Sequence, residues 1–187
     1  MKLHDLFADI LEPPRPLLPD RVDECVSTLA TSQREAAGLM KQFKTFLDRT
    51  PLTRMGEIYT GTFGLQAGLY PYVGTHLFGD GSHRRMFLAG LEEQYQIYNF
   101  STADELPDHL GIMLRFLAQV GDEEEREEMT FLYILPALKK MLKGFEDQAT
   151  PYKSVLQALL LVLREERGIS DDGIPAGMET QEFPYGR

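Results

Sequence analysis

Cysteine is nearly absent: the chain has one, Cys25, in 187 residues. A single thiol excludes an internal disulfide and any cysteine-rich zinc or iron–sulfur site. Nothing therefore points to an oxidising compartment. Histidine is scarce too, with only His4, His76, His83 and His109. None forms an i, i+4 pair and no HExxH occurs, so the spacing of a helical metal site is missing. Long apolar runs are also lacking. The longest patch, Ala158–Leu163, falls short of the roughly 18 unbroken apolar residues of a membrane span. The opening "MKLHDLFADILEPPRP" is interrupted by His4, Asp5, Asp9 and Glu12, and no small-residue cleavage site follows. It does not read as a secretory signal. These absences point to a cytoplasmic protein without membrane insertion. Basic charge is in deficit: 19 Lys and Arg stand against 29 Asp and Glu, a net charge of −10. That argues against nucleic acid as a partner, because its phosphates repel an acidic surface. It suits good solubility, or a basic peptide partner.

What is present is helical periodicity. Leu3, Leu6, Phe7, Ile10 and Leu11 make one apolar stripe, stopped by the prolines of "EPPRPLLP". Asp20–Leu29 suits a second helix. Ser32 can cap a third, with Glu35 completing a capping box. Thr50-Pro51 reads as N-cap plus first-turn proline of a fourth. Four glycines and a proline make "GTFGLQAGLYPYVG" (Gly61–Gly74) a loop or a broken helix. His83–Phe100 is helical again. Pro107 is expected to open the next helix, which ends near Gly121. Asp122–Glu128 opens another, with acids first and Lys139, Lys140 and Lys143 last, as the helix dipole favours. Pro136 should kink it. Thr150-Pro151 starts the last helix, which closes at Gly168. No strand alternation appears. The expected architecture is an all-α, single-domain bundle of about seven to eight helices over 1–168, with a C-terminal tail, extended or partly disordered, over 169–187.

Several stretches admit both a structural and a functional meaning. Glu105, Leu106, Pro107, Asp108 and His109 can be a helix start or a site. The acids Glu123, Glu124 and Glu127 can be a solvated first turn or a landing zone for arginines, whose guanidinium forks suit paired carboxylates. Tyr70, Tyr72 and His76 crowd polar-tipped aromatic and imidazole rings into a glycine-rich segment, which suits either recognition or burial. The internal pair Arg84-Arg85 is no export signal and reads as a helix start with solvated cations. Cys25 reads as a buried, inert thiol.

The order of these pieces resembles the TorD/DmsD/NarJ-type redox-enzyme maturation chaperones, and within them the nitrate reductase delta-subunit (NarJ-like) branch. "IYTGTF" (Ile58–Phe63), with Tyr59, is similar to that branch's tyrosine-x-x-threonine-phenylalanine stretch. "THLFGDGSHRRMFLAGLEEQY" (Thr75–Tyr95) is similar to its histidine-x-x-glycine-acid segment. "ELPDHLGIMLRFLA" (Glu105–Ala118) resembles its Glu-x-Pro-Asp-His-Leu signature. An aspartate often follows the phenylalanine of the first stretch in that branch; here it is Gly64. The aromatic "LYPYVG" resembles the versions that serve periplasmic type II molybdoenzymes. The resemblance implies a cytoplasmic, all-helical chaperone rather than an enzyme, with no cofactor or metal of its own. It implies that the chain binds the apo catalytic subunit of a molybdopterin-dependent oxidoreductase at its N-terminal segment or twin-arginine leader peptide, and assists cofactor insertion. Monomer and homodimer both fit. Glu105, Pro107, Asp108, His109, Tyr59, Tyr70, Tyr72 and His76 would face the client, joined by Glu123, Glu124 and Glu127. On this reading, replacing Asp108 and His109 by alanine weakens client binding at near-unchanged melting. The alternatives are a scaffold helical domain, in which the signature is only a cap, and a metal-dependent hydrolase.

Overall fold

Helices account for most of the computed structural model, which describes residues 1–64, 69–145 and 150–166. They are α1 (Leu3–Ile10), α2 (Leu18–Ser32), α3 (Arg34–Leu47), α4 (Leu52–Phe63), α5 (Val73–Phe78), α6 (Ser82–Ile97), α7 (Leu110–Gln119), α8 (Glu123–Glu128), α9 (Leu135–Gly144) and α10 (Tyr152–Glu165). A π-helical stretch, Met129–Ile134, joins α8 to α9. Counting that run as one element gives eight helices of eight residues or more, plus the short α5, among the described residues. The all-α expectation holds. The boundary expected at 168/169 lies outside the described residues.

The apolar stripes face one another as their spacing requires. Leu6, Phe7, Ile10 and Leu11 are buried, and α1 packs between α2 and α7. Helix α2 lies on α3, α3 on α10, and α10 on α9. Buried residues from all these elements form one apolar cluster. Phe43, Tyr59, Phe63 and Tyr152 meet within it at ring-centroid distances of 5.1–5.7 Å.

Several helix boundaries differ from those the sequence suggests. Ser32 does not cap α3; it ends α2, and Gln33 precedes α3 with no side-chain cap. Thr50 does not cap α4 either. Its hydroxyl donates back to Phe46 O at 2.7 Å, closing α3, and Pro51 takes the cap position. Pro136 is accommodated by the π-helical stretch, which widens the turn where the proline ring would meet the carbonyl four residues back. The glycine-rich region holds the C-terminal turn of α4 and the first two residues of α5. Gly64 follows from local geometry: a Cβ there would lie 2.3 Å from Thr60 O.

The largest difference lies at the signature segment. Pro107 does not start α7. Residues 106–109 form a turn, closed by His109 N–H donating to Leu106 O at 3.0 Å; His109 itself is extended and is the N-cap, and its Nδ1 accepts from Gly111 N–H at 3.2 Å. The cause is tertiary. Leu110 N–H donates to Pro71 O at 2.7 Å and Val73 N–H donates to Asp108 O at 2.8 Å. This short antiparallel pairing of Tyr72 with His109 pins the turn against 71–73 and satisfies its backbone groups outside the helix. The helix begins only afterwards. Asp122, by contrast, caps α8 as its sequence suggests, accepting from Glu124 N–H and Glu125 N–H.

Candidate functional site

The pairing of 71–73 with 108–110 brings the aromatic segment beside the signature. Next to it lies a cavity of about 720 Å³. Its wall includes Tyr59, Tyr70, Tyr72, Glu105 and His109, five of the residues singled out from the sequence. Glu12, Arg15, Phe63, Asp104, Ile112 and Arg115 complete much of the rest. Sequence reasoning missed these. Glu12 and Arg115 are 103 positions apart, and no local pattern announces that they meet.

Each tyrosine is positioned by a specific contact. Tyr59 on α4 donates to Leu11 O at 3.1 Å, across the end of α1. Burial, reinforced by Glu12, raises its pKa, so the phenol stays a protonated donor. Tyr72 donates to Glu105 Oε1 at 3.1 Å, and Glu105 also accepts from Leu106 N–H at 2.9 Å. The Tyr72 pKa is raised by burial and by that carboxylate. Tyr70 is set by His76, whose Nε2 lies 2.7 Å from Tyr70 O. Burial lowers the His76 pKa, and its carbonyl accepts from Lys140 Nζ at 3.0 Å. His76 thus fixes the turn behind the cavity and does not line it.

The charges are arranged in two groups. On one bank Arg115 joins Asp9 at 2.8 Å and also Glu12, while Arg21 reaches the other Asp9 oxygen at 2.9 Å. That network ties α1, α2 and α7 together and neutralises Glu12. On the opposite bank Asp104 and Glu105 are exposed. They give the cavity its acidic rim. Ala103, in the same loop, takes a φ of 54°, an uncommon conformation for a residue with a Cβ.

Asp108 is not part of this lining. It is fully buried. Its Oδ2 accepts from Arg84 Nε at 2.9 Å and from Gly74 N–H at 3.1 Å; its Oδ1 accepts from Arg84 Nη2 at 3.2 Å. The guanidinium sits 5.4 Å from the Tyr72 ring centroid. Arg84 is therefore not a solvated cation but the partner of the signature aspartate. Gly74 permits the approach: a Cβ there would fall 2.6 Å from Asp108 Oδ2. Pro107 is buried too, and its carbonyl accepts from Tyr95 OH at 2.9 Å. His109 lies edge-on to Tyr72 at 5.5 Å between centroids. Burial lowers its pKa, against the opposing pull of Glu105. Its Nδ1 accepts a hydrogen bond, so the proton of the neutral ring sits on Nε2.

Glu123, Glu124 and Glu127 lie exposed on α8, outside the cavity lining. Cys25 is buried in the core, and burial pushes its thiol up to about 12. Among the described residues, no group of three or more His, Cys, Asp or Glu side chains converges as a metal site. No helix among them is long and apolar enough to cross a membrane. The cavity offers aromatic surface and an acidic edge, an arrangement suited to holding a segment of another chain.

No curated protein sequence matches the chain. The model of the family described as "Nitrate reductase delta subunit" matches residues 30–161, well over half of the chain.

Proposed function

This chain belongs to the nitrate reductase delta subunit family, a family of molybdoenzyme maturation chaperones, and on that premise we propose that it holds an apo molybdoenzyme catalytic subunit by its N-terminal segment or leader. The observation that carries the proposal is the cavity beside the signature: Tyr59, Tyr70, Tyr72, Glu105 and His109 converge on one wall. A leader is basic at its start and apolar after it. The acidic rim at Asp104 and Glu105 suits the basic part, and the tyrosine wall suits the apolar part. Glu123, Glu124 and Glu127 add a second acidic surface on α8.

In this role the protein performs no bond-making step. It acts in the cytoplasm and keeps the client's N-terminal segment engaged while the molybdopterin cofactor is inserted. Glu105 and His109 line the cavity whereas Pro107 and Asp108 do not, which supports two duties for the signature. Glu105 and His109 present to the client, whereas Pro107 and Asp108 hold the wall in place. That division draws part of its support from the scaffold alternative, in which the signature is structural.

The test is affinity capture of the tagged protein from its native host, followed by mass spectrometry. The large subunit of a molybdopterin enzyme should dominate the captured material, and its loss on deleting that subunit's N-terminal segment should follow. A capture without any molybdoenzyme subunit, or one indifferent to the deletion, overturns the proposal.

A further inference from the structure

We infer that Arg84 is the positioning residue of the client cavity, acting from behind the wall through Tyr72 and Asp108; this inference rests on the proposed client-binding role of the cavity. Arg84 does not line the cavity, yet its contacts reach the groups that do. Its guanidinium engages both oxygens of Asp108, at 2.9 and 3.2 Å. Such a two-point fork fixes orientation as well as charge. The same group packs on the Tyr72 ring, with 5.4 Å between Cζ and the ring centroid. Tyr72 in turn bonds Glu105 through its hydroxyl and meets the His109 ring edge-on. Asp108 O, meanwhile, accepts from Val73 N–H in the pairing that sets the register of 71–73 against 108–110. One guanidinium therefore orders Tyr72, Glu105 and His109, three of the five signature and aromatic residues in the wall.

The chemistry requires arginine. A lysine ammonium can neutralise Asp108, but it is a compact charge and cannot make the planar fork and stack on Tyr72 at once. Asp80, on the exposed side, completes the cage by pairing with Arg84 Nη1 at 3.1 Å. The neighbouring Arg85 is exposed. The tandem arginines thus have different assignments: the first is an internal tie, and the second carries surface charge.

The experiment is a binding cycle. The probe is a synthetic peptide with the N-terminal segment of the catalytic subunit recovered by capture, carrying one tryptophan. The chain has no tryptophan, so the peptide's fluorescence reports binding without background. Arg84→Lys should weaken binding about tenfold and Tyr72→Phe about fivefold, while the double variant should lose no more than about tenfold, because coupled residues are non-additive. Arg85→Lys should bind as wild type. Circular dichroism at the assay temperature establishes that each variant is folded; if Arg84→Lys does not fold, Arg84→Gln takes its place in the cycle. Additive losses, binding by the Arg84 variant within about twofold of wild type, or an equal loss in Arg85→Lys each overturn the inference. If wild-type protein ignores the peptide, the client-binding role itself fails. If wild type binds and the cycle is additive, only the positioning role fails.

Discussion

Replacing Asp108 by alanine should destabilise the protein strongly. The carboxylate is fully buried and holds three donors: Arg84 Nε, Arg84 Nη2 and Gly74 N–H. Removing it strands a partly desolvated guanidinium and leaves a backbone N–H unpaired in the interior. Breaking a buried pair from one side costs about 3–5 kcal/mol. The lower end applies here, because the Arg84 side chain keeps 16% exposure and retains Asp80. For a domain of this size, about 3 kcal/mol corresponds to a fall in Tm of about 6–12 °C. This reverses the expectation drawn from the sequence, in which Asp108 faces a client and its loss spares melting. The assay is thermal unfolding followed by circular dichroism, with chemical denaturation as a check. Asp108→Asn should fall between wild type and alanine, since it keeps an acceptor for Gly74 N–H but loses the charge. Adding Arg84→Met to Asp108→Ala should recover part of the loss, because it removes the stranded cation. A Tm within about 2 °C of wild type for Asp108→Ala would refute the reasoning, since a surface residue typically costs no more than about 0.5 kcal/mol.

Three other outcomes follow from the same geometry. His109 has its pKa lowered by burial, so the unfolded chain binds more protons as pH falls below about 6.5. Stability should therefore drop with acidification in that range, and His109→Asn, which keeps a cap acceptor, should reduce the slope of Tm against pH; an unchanged slope argues against the neutral, buried ring. Gly74→Ala drives a Cβ to 2.6 Å from Asp108 Oδ2 and 3.0 Å from Phe87 Cδ1. Overpacking of this kind costs about 1–3 kcal/mol, and urea unfolding should read it. Cys25, buried and held near pKa 12, should react with a thiol reagent only upon unfolding, so rapid labelling of the native protein would contradict its placement in the core.

The sequence by itself determined the class of fold. The stripes at Leu6, Phe7 and Ile10 or at Val155, Leu156 and Leu159 repeat at helical spacing, and a helix can bury such a stripe only against other helices. Asp122 and the acids behind it also marked their helix start correctly, because capping is decided within three residues. Five residues of the cavity wall were legible: Tyr59 through the "IYTGTF" stretch, Tyr70 and Tyr72 through the tyrosine-rich segment, and Glu105 and His109 through the signature. What the sequence did not determine was the orientation of the signature itself. A proline followed by Asp-His before an apolar run satisfies every local rule for a helix start, yet 107 and 108 form a turn and the helix starts only after His109. That result depends on Pro71, Gly74 and Arg84, whose bonds to Leu110 and Asp108 span 24 to 39 positions. Nor could spacing announce Glu12 beside Arg115, or reveal that the first arginine of an internal pair is an inward tie. Periodicity encodes which face of an element turns inward. Which charges then meet depends on how the helices pack, and a low-dielectric contact between distant residues leaves no local trace in the chain.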